Sequence, residues 1–374
     1  MAKQRKTAAA EENGTDAATG RKKGLPQPHG FNRNLDRPRI ASGDRCEPRA
    51  VNTLNHHYRY YRVCGLRIRS SFAFPELRAR PDFETDTAAD IEFEVGGDVS
   101  SWDSGNVVMT WDEPAGTPWL RCTRTSLGYR LHFPGFADFL IDRAGRHVRC
   151  VADSGTAPET IRHLFLDQVV PPLLNLRGRE ALHASAIRTP GGACAFIGAS
   201  GQGKSTLAAA FHLLGHAVLS DDCLLIKDDA DSVQVEPAYA GLRLWDDSRD
   251  VLFGNTRSTL PVSQYTSKKR VSTPESNTDE PGFVPLRCIY SLRRHEDPGA
   301  TNIPLIEPVS MRDAFMELVE FSFRIDLTDQ AMILRQMRVL ERVAREVPVM
   351  RLRLPGGLSA LPAACQTILR NLEN

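Results

Sequence analysis

The sequence predicts an α/β fold in which a core with a mixed sheet follows a small antiparallel β-rich domain. Two observations carry this prediction. Short apolar runs that alternate with polar residues fill the region from Tyr58 to about Val151, and a period of two is typical of half-buried antiparallel strands. Further along, an apolar run, a glycine-rich segment and an amphipathic stretch follow one another over 193–214, which is the order of a strand, a loop and a helix.

The alternating region contains seven runs that we expect to form strands, separated by turn signals such as Pro134-Gly135. They are 61–63, 91–95, 107–111, 120–122, 129–133, 139–141 and 147–151. We therefore assign residues 58–155 to a β-rich N-terminal domain and residues 156–374 to the core.

Local signals place further elements in the core. Thr156 and Glu159 are predicted to form a capping box that opens a helix, and Pro171-Pro172 is predicted to end it. Ser310 and Thr328 are each expected to cap an amphipathic helix. Two later runs are expected to be strands, 286–292 and 350–354.

The glycine-rich segment satisfies the pattern G-x-x-x-x-G-K-[ST] of a phosphate-binding loop. Its glycines let backbone N–H groups turn inward around a di- or triphosphate, while Lys204 brings a positive charge and the Ser205 hydroxyl can ligate Mg²⁺. The helix that follows adds the partial positive charge of its N-terminus. The pattern predicts a site for ATP and Mg²⁺ made by Gly198, Ser200, Gly201, Gln202, Gly203, Lys204, Ser205 and Thr206.

Two adjacent acids, Asp221 and Asp222, interrupt the first apolar run after the predicted loop helix. This closeness can put one carboxylate by the metal and the other by the γ-phosphate, where it could accept a proton from an attacking hydroxyl. The alternative is that the pair forms a polar turn with no role in chemistry. Adjacent acids beside a phosphate loop favour the functional interpretation.

A histidine, His183, lies in the strand-like run 180–187 before the loop. Alone it would be interpreted as a hydrogen-bonded core residue. The order of features along the chain changes this interpretation, because it resembles that of the C-terminal catalytic domain of HPr kinase/phosphorylase. The features are His183, the loop, Gly215-His216 and Asp221-Asp222. That family is a bacterial protein-serine kinase with a phosphate loop and a fold related to phosphoenolpyruvate carboxykinase.

The resemblance covers about residues 178–245 and implies an HPr-kinase-like core with a role for each matching residue. Lys204 would contact the phosphates and Ser205 would bind Mg²⁺. Asp222 would be the base that activates the acceptor hydroxyl, His183 would assist it, and Asp221 would lie near the metal.

One position departs from the pattern of that family. Its second metal carboxylate belongs to a Glu-x-x-Gly stretch, and the comparable residues here, 238–241, lack the acid. Candidate substitutes are Glu236, Asp246 and Asp247.

The layout of the whole chain looks more like a divergent branch, the HPr-kinase-like proteins of peptide natural-product clusters. That branch includes kinases that phosphorylate lasso-peptide precursors. The shared features are Tyr61–Leu66, Leu182–Ile187, Gly241–Trp245 and a late Lys/Arg cluster. This resemblance, and a β domain that a small-metabolite kinase would not need, imply a peptide or small-protein acceptor.

The Lys/Arg cluster consists of Lys268, Lys269 and Arg270, in a polar segment over 263–281 that we expect to be a flexible loop. Phosphoryl transfer needs positive charge on the migrating group, so one or two of these cations could close over the γ-phosphate. The alternative is a solvated charge run.

Composition excludes some classes of function. The net charge of +1 gives no case for binding nucleic acid, and neither a membrane span nor a signal peptide is evident. We expect a cytoplasmic protein whose eight scattered cysteines are reduced and mostly buried. Residues 1–50 are basic and poor in large apolar residues, so we expect a disordered tail.

Three functions stay open on the sequence alone. The leading one is an ATP-dependent kinase acting on a serine hydroxyl of a peptide or small protein. The others are a kinase for a small-molecule hydroxyl and a nucleotide-dependent regulatory protein of low turnover. The acceptor and a homo-oligomeric state are also open.

Overall fold

The computed structural model describes residues 58–80, 88–112, 116, 118–227, 232–239, 241–254, 259–272, 282–294 and 303–373. The predicted tail, 1–50, lies outside these ranges.

An eight-stranded sheet forms the N-terminal part of the described chain. Its strands are β1 (Arg59–Val63), β2 (Leu66–Ser70), β3 (Ile91–Val95), β4 (Asn106–Asp112), β5 (Pro118–Arg124), β6 (Gly128–Phe133), β7 (Ala137–Asp142) and β8 (His147–Ala152). Their order across the sheet is β1-β2-β3-β8-β7-β6-β5-β4. A strand lies at each of the seven predicted runs, and β2 is an additional one.

The sheet is not wholly antiparallel, because β3 runs parallel to both β2 and β8. The prediction of an antiparallel sheet is wrong at this point for a physical reason. Antiparallel neighbours can be joined by a tight hairpin, but a parallel pair needs a crossover of a dozen or more residues. The connection over 71–90 supplies that length.

Three consecutive helical segments lead from this sheet to the core: α1 (Pro158–His163), a π-helical segment (Leu164–Val169) and α2 (Val170–Leu176). The predicted capping box is wrong, because Ala157 is the N-cap and the Thr156 hydroxyl donates to the carbonyl oxygen of Phe136, 2.7 Å away. Pro171-Pro172 does not end the helix. The two prolines lie in the first turn of α2, where a missing N–H costs little.

The described residues of the second part of the chain form twelve strands. They are β9 (Glu180–Leu182), β10 (Ala184–Thr189), β11 (Gly192–Ile197), β12 (Val218–Ser220), β13 (Leu224–Lys227), β14 (Gln234–Glu236), β15 (Leu242–Leu244), β16 (Thr259–Ser263), β17 (Thr266–Val271), β18 (Val284–Arg294), β19 (Leu305–Pro308) and β20 (Val349–Leu354). Nine of them form a mixed sheet in the order β12-β10-β11-β18-β14-β13-β9, with β20 beside β18 and β19 beside β20. Only the β11–β18 and β18–β20 pairs of this sheet are parallel among the described strands.

The remaining three strands make a small sheet in the order β15-β17-β16. The strands predicted at 286–292 and 350–354 lie within β18 and β20, so both predictions are confirmed.

The helices of this part are α3 (Lys204–Leu213), α4 (Asp246–Phe253), α5 (Met311–Glu320), α6 (Gln330–Glu346) and α7 (Leu361–Glu373). The Ser310 cap of α5 is confirmed, since its side chain accepts from the Asp313 N–H. At α6 the cap is Asp329, which accepts from the Met332 N–H at 2.9 Å, and the prediction of Thr328 is wrong by one residue.

The inner face of the eight-stranded sheet packs on a hydrophobic core that it shares with α1, the π-helical segment and α2. Leu225, Tyr265 and Phe323 from the second part of the chain belong to the same core. The two parts are therefore packed neighbours, and the domain boundary at 155/156 stays a prediction.

The seven cysteines in the described ranges are all buried, as expected. No helix of the described chain is both long and apolar enough to cross a membrane.

Candidate phosphate-binding and catalytic site

The predicted phosphate loop connects β11 to the N-terminus of α3. Gly201 and Gly203 have φ angles of 80° and 99°, a region that side chains rarely adopt, so the loop geometry depends on glycine. Lys204 is the first residue of α3, and its Nζ donates to the carbonyl oxygen of Gly198 at 2.7 Å. Burial lowers the pKa of this ammonium to about 8. A bound phosphate would compensate that loss of hydration.

Two breaks in neighbouring strands bring the predicted catalytic residues together. His183 lies between β9 and β10, and Asp221 and Asp222 lie between β12 and β13. Because β10 pairs with β12 and β9 pairs with β13, the breaks lie side by side. His183 is therefore not inside a continuous strand, as the sequence suggested, but at a bend. The backbone N–H of His183 donates to the carbonyl oxygen of Phe321 at 2.7 Å.

The backbone of Asp222 is unusual, since its φ of 78° lies in the left-handed region. Only a few per cent of non-glycine residues adopt it, although aspartate is enriched among them. Such strain persists where the surrounding structure enforces it, and it clusters at functional sites. Here it turns the Asp222 side chain out of the strand and into the cavity beside the loop.

His183 lies against Asp222 in a defined tautomer. Its Nδ1 is 3.0 Å from the Asp222 carbonyl oxygen and 4.0 Å from carboxylate Oδ1. Because a carbonyl oxygen can only accept, Nδ1 carries the proton. Burial and the Lys204 charge lower the pKa of His183 to about 4, so the ring is neutral at physiological pH. Nε2 is then the unprotonated nitrogen.

Asp221 faces the phosphate loop and, unlike Asp222, does not line the cavity. Its Oδ1 accepts hydrogen bonds from the Ser205 hydroxyl at 2.8 Å and from the Ser185 hydroxyl at 2.5 Å. Burial and the neighbouring Asp222 carboxylate raise the pKa of Asp221. A divalent cation at this point would stabilise its ionised form.

The residues present fit a magnesium ion bound together with a nucleotide. Ser205 and Asp221 bring a hydroxyl and a carboxylate oxygen together at the N-terminus of α3. Mg²⁺ commonly takes one or two protein oxygens and completes its shell with phosphates and water. In the described ranges no three His, Cys, Asp or Glu side chains are grouped so that they could hold a metal by themselves.

Arg243 on β15 is a central residue that sequence reasoning missed. Its side chain is 1% exposed. Nη1 lies 3.2 Å from Asp222 Oδ2 and donates to the Asp221 carbonyl oxygen at 2.8 Å, and the Arg243 N–H donates to Asp221 Oδ2 at 2.9 Å. Burial by itself would raise the pKa of Asp222, but Arg243, with His183 and Lys268, holds it well below the usual range. Asp222 is therefore an ionised acceptor.

The π-helical segment contributes a carboxylate, Asp167, that pairs with the second terminal nitrogen of Arg243. Asp167 accepts from Arg243 Nη2 at 2.6 Å, and the Tyr239 hydroxyl donates to the same carboxylate oxygen. The second oxygen of Asp167 lies 2.5 Å from His163 Nδ1. π-Helical segments are frequent at functional sites, and this one carries a buried carboxylate that orients the arginine beside the predicted base.

The basic cluster does not form a loop. Thr266–Val271 is strand β17, which pairs with β15 and β16 on its two sides. Of its three cations, Lys268 lines the cavity, whereas Lys269 and Arg270 do not. Arg270 is buried with its guanidinium 5.5 Å from the centre of the Tyr239 ring, and burial lowers its pKa to about 10. Of the three cations, Lys268 alone is placed to close over a γ-phosphate in this cavity, and that role stays a prediction.

The candidates for the second metal carboxylate separate in the structure. Glu236 is paired with Arg62 at 3.2 Å and Arg179 at 3.5 Å and does not line the cavity. Asp246 and Asp247, at the start of α4, both line it. Asp246 is paired with Arg249 at 2.7 Å, which leaves Asp247 as the better candidate.

The loop, Asp222 and His183 line one cavity of about 1300 Å³, together with Ser200, Gln202 and Thr206. Asp221 lies behind the lining. Gly198 does not line this cavity, and its carbonyl oxygen accepts a hydrogen bond from Lys204 Nζ. Arg294, at the end of β18, also lines the cavity and donates to the Gly201 carbonyl oxygen at 2.7 Å. The topology explains this position. Because β18 is parallel to β11, the carboxyl ends of both strands lie at the same edge of the sheet, next to the phosphate loop.

Comparisons with known proteins show limited similarity. No protein-family model matches the chain. No curated protein matches it either. Among solved structures, the Hpr(Ser) kinase/phosphatase from Coxiella burnetii is similar at 14% sequence identity and a TM-score of 0.26, over 51% of this chain and 88% of that one. The resemblance to the HPr kinase family therefore continues to rest on the motif residues.

Proposed function

We propose that this protein is an ATP-dependent kinase that transfers the γ-phosphoryl group to a serine hydroxyl of a peptide or small protein. The observation that carries the proposal is the pair of strand breaks beside the phosphate loop. They put the Asp222 carboxylate and His183 in the same cavity as Lys204 and Ser205. A structural acid pair would not need an ionised carboxylate turned into that cavity by a strained backbone.

Each residue has a distinct task in this proposal. Lys204 and the N–H groups of the loop bind the phosphates, and Ser205 with Asp221 holds the metal. Mg²⁺, when bound, would neutralise charge on the phosphates of ATP. Lys268 and Arg294 also line the cavity and add the positive charge that transfer requires. Arg243 keeps Asp222 ionised and oriented.

The transfer step then balances with groups that the site supplies. The serine oxygen forms a bond to the γ-phosphorus as the bond from that phosphorus to the leaving oxygen of ADP breaks. The serine proton passes to Asp222, which accepts it as a general base. His183 positions the base, because its Nδ1–H holds the backbone carbonyl of Asp222.

The proposal is tested by incubating the full chain with Mg-ATP and serine-containing peptides. We expect a mass gain of one phosphoryl group, and an alanine in place of His183 should lower the rate by roughly 10-fold through loss of base positioning. His216→Ala is the matched control, since His216 Nδ1 lies 3.1 Å from the Arg188 carbonyl oxygen outside the cavity. Phosphorylation of free sugars or amino acids but of no peptide would replace the peptide acceptor by a small molecule.

A further inference from the structure

The cavity that holds the candidate site has two unlike sides. On one side lie the loop and the cations described above. The other side is aromatic, with Trp111 and Trp119 from the N-terminal sheet, Tyr265 from the β16–β17 turn, and Phe321 and Phe323 after α5. Asp222 and His183 lie where the two sides meet.

Ring contacts join four residues of the cavity lining in two pairs. The Trp119 and Tyr265 ring centres are 4.8 Å apart, and the His183 and Phe323 ring centres are 5.9 Å apart in an edge-to-face arrangement. Gln168, half-buried in the π-helical segment, adds an amide to the lining. The side chains named on this side are mostly aromatic and none is charged, so the surface suits a neutral side chain and not a second phosphate.

Trp111 belongs to β4, the edge strand of the eight-stranded sheet. Within the described ranges β4 pairs with β5 alone, so its other edge presents backbone N–H and C=O groups. The end of β4 that carries Trp111 reaches the candidate site. The other end, at Asn106, lines a second cavity of about 910 Å³ together with Arg124 and Arg143. An edge strand of this length spans about 20 Å.

We propose that the acceptor is an extended peptide segment that adds to the outer edge of β4, with its serine at Asp222 and a neutral apolar side chain beside it against Trp111. The proposal rests on the proposed kinase function and names its substrate class. Backbone hydrogen bonds to an edge strand give affinity that does not depend on sequence, while the pocket for a neighbouring side chain gives selectivity. A small metabolite has no backbone to pair in this way.

The occupant follows from the cavities at the two ends of β4. Because the loop side has the cations and N–H groups for the nucleotide, a group bound on the aromatic side approaches Asp222 from the acceptor direction. The strand that delivers Trp111 then leads away from the site toward the second cavity. A chain running along β4 is the ligand shape that contacts both.

The first experiment uses a synthetic library of peptides with one fixed serine, phosphorylated by the full chain with Mg-ATP and read by mass spectrometry. We expect the favoured peptides to carry an aromatic or aliphatic residue two positions from the serine, because alternate side chains of an extended strand share a face. The best peptide is then N-methylated at one backbone nitrogen at a time. Because alternate residues of a strand point their N–H groups to the same side, KM should rise about 3- to 10-fold at alternate positions only.

A second measurement concerns the protein. Trp111→Ala should raise the peptide KM by roughly 10-fold, with the KM for ATP unchanged, because an aromatic contact is lost on the acceptor side. The matched control is Phe283→Ala, which removes a ring that is 40% exposed and lines neither cavity.

The outcomes separate this proposal from the function on which it rests. A flat N-methylation profile, or a Trp111→Ala enzyme with wild-type KM, would overturn the β4 path while leaving a peptide kinase in place. If no peptide is phosphorylated and small hydroxyl compounds are, both the β4 path and the peptide acceptor are wrong.

Discussion

Asparagine in place of Asp222 is expected to slow phosphoryl transfer by about 10²- to 10⁴-fold, the usual worth of a general base. Nucleotide affinity should stay near wild type, because the Ser205 hydroxyl of the phosphate loop donates to Asp221 and not to Asp222. The fold should be kept, since asparagine tolerates the left-handed backbone that residue 222 adopts. The measurements are kcat with the best peptide and a titration with nucleotide.

Asp250→Asn is the control for this substitution. Asp250 is paired with Arg249 at 2.6 Å on α4 and does not line the cavity, so its variant should have wild-type kcat. A different result for Asp222→Asn would reassign the roles. If affinity for Mg-ATP collapses while the rate at saturation is unchanged, Asp222 is a metal ligand and the base is Asp221 or His183.

Local sequence patterns predicted the elements that depend on neighbouring residues. The seven runs of period two each coincide with a strand, and the glycine-rich motif lies between a strand and a helix as its chemistry requires. These signals are local because pleating and helix capping act over a few residues. The Ser310 cap is of the same kind.

Long-range pairing was not predictable in the same way. The sequence around Ile91–Val95 shows a strand but not that β3 runs parallel to both neighbours. Pro171-Pro172 has the sequence signature of a helix end, but the π-helical segment before it changes the hydrogen-bonding pattern and lets the helix continue. In both cases tertiary packing overrides the local preference.

The site shows the same division. His183, Lys204 and the acid pair could be found because they belong to motifs with a fixed order. Arg243 could not be assigned, although it lies in the noted stretch Gly241–Trp245, because its partner Asp167 is distant in the chain. Trp111 gave no signal at all, since only the packing of the N-terminal sheet brings it to the cavity.

Replacing Arg243 by methionine is expected to lower the free energy of unfolding by about 3–5 kcal/mol, the cost of removing one partner from a buried ion pair. The substitution leaves the buried Asp167 and Asp221, and Asp222 at 16% exposure, without their shared cation. Methionine fills a similar length, so little of the loss should come from a cavity. Urea denaturation followed by circular dichroism measures the change.

The matched control is Arg345→Met, which removes an arginine whose side chain is 55% exposed and 3.5 Å from Glu341. An exposed ion pair of this kind contributes about 0–1 kcal/mol to the free energy of unfolding. A double-mutant cycle with Asp167→Asn isolates the ionic contribution. We expect the double variant to lose less stability than the sum of the single losses, by about 0.5–3 kcal/mol, because the two residues contact each other. Additive losses would mean that Arg243 and Asp167 do not stabilise each other, and the role given to the π-helical segment in orienting Arg243 would then fail.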